Sequence, residues 1–134
     1  MFVSSGGYRA NCPTPLVEKE EGDDVTLQCH LNPVIDLTDC TLDWGRDDSK
    51  ETVYVYRDKK PYDDAQVKRY RNRTTFSRDG LTKGEMTLQI SSVQQDDSGP
   101  YRCYVLQKAH CIVNVTVGEH AIFNIEQIIS VFLI

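Results

Sequence analysis

The chain has 134 residues, 40% of them hydrophobic and 26% charged, with a net charge of −5. That length suits one domain, and the composition is that of a globular protein rather than a disordered one. The acidic balance excludes a nucleic-acid surface, which needs clustered Lys and Arg. The one basic run, Lys68-Arg69-Tyr70-Arg71-Asn72-Arg73, is short and offset by acidic neighbours.

The opening stretch, MFVSSGGYRANCPTP, lacks the apolar core of a signal peptide, and residues 1–12 are expected to form a tail before a domain over 13–118. Alternation then dominates. In DVTLQCH, Val25, Leu27 and Cys29 share a face, the mark of a half-buried strand. CTLDWGR repeats the pattern with Cys40, Leu42 and Trp44, and ETVYVYRD alternates valines with Tyr54 and Tyr56. RTTFSR, GEMTLQI, YRCYVL and CIVNVTV follow, with turn clusters such as Glu21-Gly22-Asp23-Asp24 and Asp79-Gly80 between strands. Many short strands without helical periodicity predict an all-β antiparallel sandwich or barrel. Residues 119–134, EHAIFNIEQIISVFLI, read as an apolar tail: the start of a membrane span, a terminal helix or sequence foreign to the domain. Its longest uninterrupted apolar run, VFLI, falls far short of the ~20 residues that cross a bilayer.

Cys12, Cys29, Cys40, Cys103 and Cys111 form no CxxC pair, so zinc-ribbon and thioredoxin-type motifs are absent. Cysteines at this density without metal spacing belong to oxidising compartments. The sequons Asn72-Arg73-Thr74 and Asn114-Val115-Thr116 point the same way and make Asn72 and Asn114 glycosylation candidates.

Cys29 and Cys103 fall on strands that a sandwich sets face to face, across a core ~10 Å thick. A disulfide spans that geometry, and Trp44 fills the space beside it. Tyr101 shares the face of Cys103, and its hydroxyl is placed to bond backbone just upstream, as in a tyrosine corner. Gly99 permits the turn that delivers it, and Asp97 is suited to an ion pair with Arg73.

Cys29…Trp44…Asp97-x-Gly99-x-Tyr101-x-Cys103 resembles the immunoglobulin V-set, with ETVYVYRD in the place of the extra hairpin of variable-type domains. VYVYRD, YRNRTTF, KGEMTLQISSV and DDSGPYRCYV resemble the butyrophilin and myelin-oligodendrocyte-glycoprotein group over roughly residues 16–117. Asn72 stands where that group's tyrosine–arginine–glycine–arginine–threonine signature has glycine. Cys40 and Cys111 also depart from its two-cysteine pattern. The resemblance implies a V-type sandwich from a single-pass surface protein related to T-cell costimulatory ligands.

In such a sandwich the loops holding Cys40 and Cys111 sit at one end, so a Cys40–Cys111 bridge is expected, with Cys12 unpaired or bonded to another chain; pairings that involve Cys12 are the alternative, since spacing does not fix connectivity. Parity places Asp43, Tyr54, Tyr56, Arg102 and Tyr104 on an outward face suited to a protein partner, with Asn114 beside it. No nucleophile elbow or carboxylate pair appears, and His30, His110 and His120 lack an adjacent catalytic partner, so neither an enzyme nor a small-molecule substrate is expected. Neither a cofactor nor a metal is expected. The expected function is immune co-signalling through a protein partner. The alternatives are an adhesion module with weak homophilic contacts and a viral attachment receptor.

Overall fold

The computed structural model describes residues 7–105 and 109–119. Among these, ten strands form two sheets: β1 (Arg9–Asn11), β2 (Leu16–Glu20), β3 (Val25–Asn32), β4 (Leu42–Arg46), β5 (Thr52–Arg57), β6 (Lys60–Pro61), β7 (Thr74–Ser77), β8 (Glu85–Ile90), β9 (Gly99–Val105) and β10 (Ala109–Gly118). A four-stranded sheet runs β1-β3-β8-β7 and a six-stranded sheet runs β2-β10-β9-β4-β5-β6. The fold is all-β, a two-sheet sandwich. Its pairings are antiparallel except β2 with β10, which is parallel.

Period-2 alternation builds this core. Val25, Leu27, Cys29 and Leu31 of β3 are buried, and so are Met86, Leu88 and Ile90 of β8 in register with them. From the other sheet come Leu42 and Trp44 of β4, Tyr101, Cys103 and Val105 of β9, and Val113, Val115 and Val117 of β10. Each fully buried side chain of this size contributes roughly 1.5–3 kcal/mol, so the inward rows dominate the stability of the fold.

The segment expected to be a tail is part of the sandwich. β1 pairs with β3, and Cys12 is buried just beyond it. The chain then crosses to the other sheet as β2, so one N-terminal segment borders both layers. Of the expected apolar tail over 119–134, residues 120–134, His120 among them, lie outside the described residues. Among the described residues no helix is long and apolar enough to cross a membrane.

Candidate partner-binding face and the residues that hold it

Cys29 is disulfide-bonded to Cys103, joining the two sheets, and Trp44 lies opposite Cys103 in register. The second bridge differs from expectation: Cys111 is bonded to Cys12, and Cys40 is free. The reason is register. β1 runs beside β3 with Asn11 opposite His30, which carries Cys12 to the level of Cys29. Cys111 lies opposite Cys103 on the facing sheet, so both cysteine pairs meet across the core. Cys40 lies elsewhere, its Sγ directed at the Asp36 carbonyl 4.0 Å away. Burial, then the charges of Asp39 and Asp36, raise its thiol pKa, which favours the protonated form. The four bonded sulfurs lie within 4.8 Å of one another. Metal ligation needs thiolates, and disulfide sulfurs do not supply them.

Below the bridges, a buried polar network fixes the turn into β9. Tyr101 donates its hydroxyl to the Asp97 carbonyl at 2.6 Å, and the Tyr70 hydroxyl lies 3.0 Å from that of Tyr101. Since Tyr101 spends its proton on Asp97, Tyr70 donates to Tyr101 and accepts from Arg46 Nη1 at 3.0 Å. Arg46 is only 5% exposed. It also donates to Ser98 O at 2.7 Å and Asp96 O at 3.1 Å, and grips Asp48 with two nitrogens at 3.1 and 2.8 Å. Burial works against its charge, but the bonds to Asp48 and Tyr70 outweigh that and raise its pKa. Burial, aided by the bond from Tyr70, raises the Tyr101 phenol pKa, so the phenol stays a donor.

Beside it, Arg73 Nη2 sits 2.5 Å from Asp97 Oδ2, and Asp97 is 1% exposed. That pair holds the Arg73 pKa above its usual value, chiefly through the hydrogen bond to Asp97. Asp97 Oδ2 also accepts from the Gln94 N–H at 2.9 Å. Gly99 has φ +139°, and a Cβ there would lie 2.5 Å from Arg46 Nη2. Arg46 and Tyr70 were absent from the expected site residues. Arg46 shares the parity of Trp44, and that inward position was the readable signal.

The outward side of the six-stranded sheet carries the candidate site. His110, Tyr104, Asp43 and Val55 form one cross-strand row over β10, β9, β4 and β5. In the next row, Arg102 donates to the Tyr104 hydroxyl at 2.5 Å and pairs with Asp47. The guanidinium sits 5.4 Å from the Tyr104 ring centroid, and the ring centroids of Tyr104 and His110 are 5.9 Å apart. A hollow of about 250 Å³ lies between Asp43, Arg102, Tyr104, Asp47 and Thr52. Burial pushes the Asp43 carboxyl up to about 6.

Two residues expected on this face are not there. Tyr56 is 1% exposed, and Tyr54, opposite Trp44, faces inward. Tyr54 stacks on Phe76 of the other sheet with centroids 5.0 Å apart, and Tyr56 packs on the same ring at 5.4 Å. The Tyr56 hydroxyl donates to the Thr38 carbonyl at 2.7 Å. The register shifts between Trp44 and Gly45, which turns Val53 inward as well and leaves Val55 outside.

Asn114 is exposed on β10, two residues beyond Ile112, which lies opposite Arg102 on the outward side. Asn72 is exposed at φ +61°, just before β7. His30 Nε2 lies 3.8 Å from Glu85 Oε2, both side chains being partly exposed.

The comparisons with known proteins agree with this geometry. The immunoglobulin V-set domain family matches residues 13–120. Myelin-oligodendrocyte glycoprotein of Pongo abelii is 31% identical over 100 residues, 75% of this chain and 41% of that protein. Human butyrophilin-like protein 2 is 33% identical over 124 residues, 88% of this chain and 26% of that protein. The chain thus spans well under half the length of either relative. The crystal structure of bovine butyrophilin superposes with TM-score 0.77 at 24% identity, over 84% of this chain and 55% of that one. A chain of the crystal structure of ICOS in complex with ICOS-L and an anti ICOS-L VNAR domain gives TM-score 0.67 at 27% identity, over 85% and 58%. A domain of this family and these relatives is not an enzyme. With its inter-sheet disulfide, buried tryptophan and tyrosine corner in place, the chain belongs to the immunoglobulin V-set family, similar to the butyrophilin and myelin-oligodendrocyte-glycoprotein proteins.

Proposed function

We propose that this domain is the extracellular recognition module of a butyrophilin-like surface protein, binding a protein partner in immune co-signalling through its six-stranded face. The observation that carries the reading is the outward cluster Arg102–Tyr104–Asp43–His110. There a guanidinium is held by a phenol and a carboxylate beside a shallow hollow. Arg and Tyr are the side chains most enriched where binding energy concentrates, and an ordered Arg loses less entropy on contact. V-set domains of this kind bind protein partners, as in the ICOS and ICOS-L complex.

The test is surface display of the chain against a library of cell-surface ectodomains, followed by titration of the binder found. Arg102→Ala and Tyr104→Ala should each weaken binding at least tenfold, whereas Lys19→Ala on the far edge strand should leave it unchanged. Binding insensitive to both front-face changes would overturn the reading. Micromolar self-association by analytical ultracentrifugation, lost in Tyr104→Ala, would replace it with homophilic adhesion.

A further inference from the structure

We propose that Asn72 carries an N-linked oligosaccharide whose first sugars seat in the groove beside it, making the glycan a packed part of the domain. The groove is about 420 Å³ and opens between β5–β6 and β7; Asn72 itself lines it, with Tyr54, Phe76, Asp63, Asp64 and Arg71. That volume is within the range of small-ligand sites. A pyranose presents an apolar C–H face and a rim of hydroxyls. The stacked rings of Tyr54 and Phe76 offer an apolar floor, and Asp63, Asp64 and Arg71 offer acceptors and donors around it.

The sequon is divided to suit this use. Arg73 is committed to Asp97, and Thr74 Oγ1 accepts from Gln66 Nε2 at 2.9 Å. Only Asn72 of the three is exposed, in the left-handed conformation that Asn tolerates better than most residues. Attachment precedes these contacts, because it acts on the extended chain. The Asn72 side-chain nitrogen bonds to the anomeric carbon of a lipid-pyrophosphate-linked oligosaccharide. The carbon–oxygen bond to pyrophosphate breaks, the lipid pyrophosphate leaves with the electron pair, and the amide proton passes to a base of the transferase. A groove whose own rim carries the tether needs little further affinity, since the linked sugar is present at high effective concentration.

The inference rests on the surface-protein reading, because a sequon meets the transferase only in the secretory pathway, but its test involves no partner. The full chain is secreted from mammalian cells with Asn114→Gln, and Asn72 occupancy is read by glycopeptide mass spectrometry. The glycan is then trimmed to one sugar with an endoglycosidase, or removed with an amidase. Occupied Asn72, nuclear Overhauser contacts from the first sugar to the Phe76 and Tyr54 rings, and a Tm drop of roughly 3–5 °C on complete removal are expected. The one-sugar form should keep most of that increment. Phe76→Leu should keep the glycan but lose the ring contacts and the increment. An unmodified Asn72, or a glycan without ring contacts and without effect on Tm, overturns the proposal. A partner screen that finds nothing leaves all these readouts standing.

Discussion

Cys103 and Cys111 lie directly opposite each other on β9 and β10 with their sulfurs 3.4 Å apart, yet Cys103 is bonded to Cys29 of β3 and Cys111 to Cys12 just beyond β1. Cys111 Sγ is also 3.6 Å from Cys29 Sγ. Which pairs form is therefore decided by which cysteines are present, not by distance alone. Cys12→Ser should free the Cys111 thiol beside an intact disulfide and let it exchange. Non-reducing peptide mapping should then find Cys29–Cys111 and Cys103–Cys111 alongside Cys29–Cys103. Cys12→Ser with Cys111→Ser should give Cys29–Cys103 alone. Because the two bridges span 99 and 74 residues, the outer one closes about 25 further residues, so its loss should cost roughly 3 kcal/mol by chemical denaturation.

Arg73→Ala leaves the Asp97 carboxylate buried without its cation, and the expected loss is about 3–5 kcal/mol, well above that of an exposed pair. Arg73→Ala with Asp97→Asn should recover part of it. Urea titrations of Arg73→Ala, Asp97→Asn and the double variant measure the coupling, and additive losses would contradict the pairing.

Gly99→Ala and Gly22→Ala separate crowding from backbone strain. Both positions have positive φ, but a methyl at Gly22 meets nothing within 4 Å. Gly22→Ala should cost roughly 1 kcal/mol. Gly99→Ala must also push Arg46 from its bonds to Ser98 and Asp48, so it should cost at least twice as much in parallel thermal melts.

Asp43 sets a pH dependence. Its folded pKa of about 6 lies above the unfolded value near 3.8, so the folded domain holds a proton that the unfolded chain has lost between those values. Stability from this group is complete below pH ~4, falls as pH rises through about 6, and amounts to at most about 3 kcal/mol. Asp43 lies in register with Tyr104 and Val55, and Arg102, Asp47, Lys50 and Glu51 line the same hollow. Asp43→Asn should flatten the stability profile between pH 4 and about 6.5 and raise Tm at pH 7.5 relative to the parent.

Much of this was readable from residue spacing. Alternation located the inward rows, and the Cys29, Trp44, Tyr101 and Cys103 spacing suffices for the sandwich because those residues must meet across one core. β5 shows where such reading stops. Thr52 to Arg57 alternates two apolar sets, Val and Tyr, and either could face inward. The decision belongs to Phe76, which lies on another sheet and receives both tyrosine rings. Cys12 failed for a similar reason. β1 has three residues, too few to show a period, and its place beside β3 is a tertiary fact. Arg46 was readable by parity, but a charged residue on an inward row is chosen only once Tyr70, Asp48 and the Ser98 carbonyl are seen around it.

The Cys12–Cys111 bridge also makes the domain a closed ring for mechanical load. Tension applied at the two ends of this domain enters near Cys12 and leaves beyond Cys111. The covalent link carries that force past the 98 residues between them. Outside that ring, β1 before Cys12, paired with β3, and β10 beyond Cys111, held laterally by β2 and β9, remain exposed to shear. The outward side of β4 and β9 therefore keeps its shape under end-to-end traction until the bridge is reduced, at which point the sheets themselves become the load path.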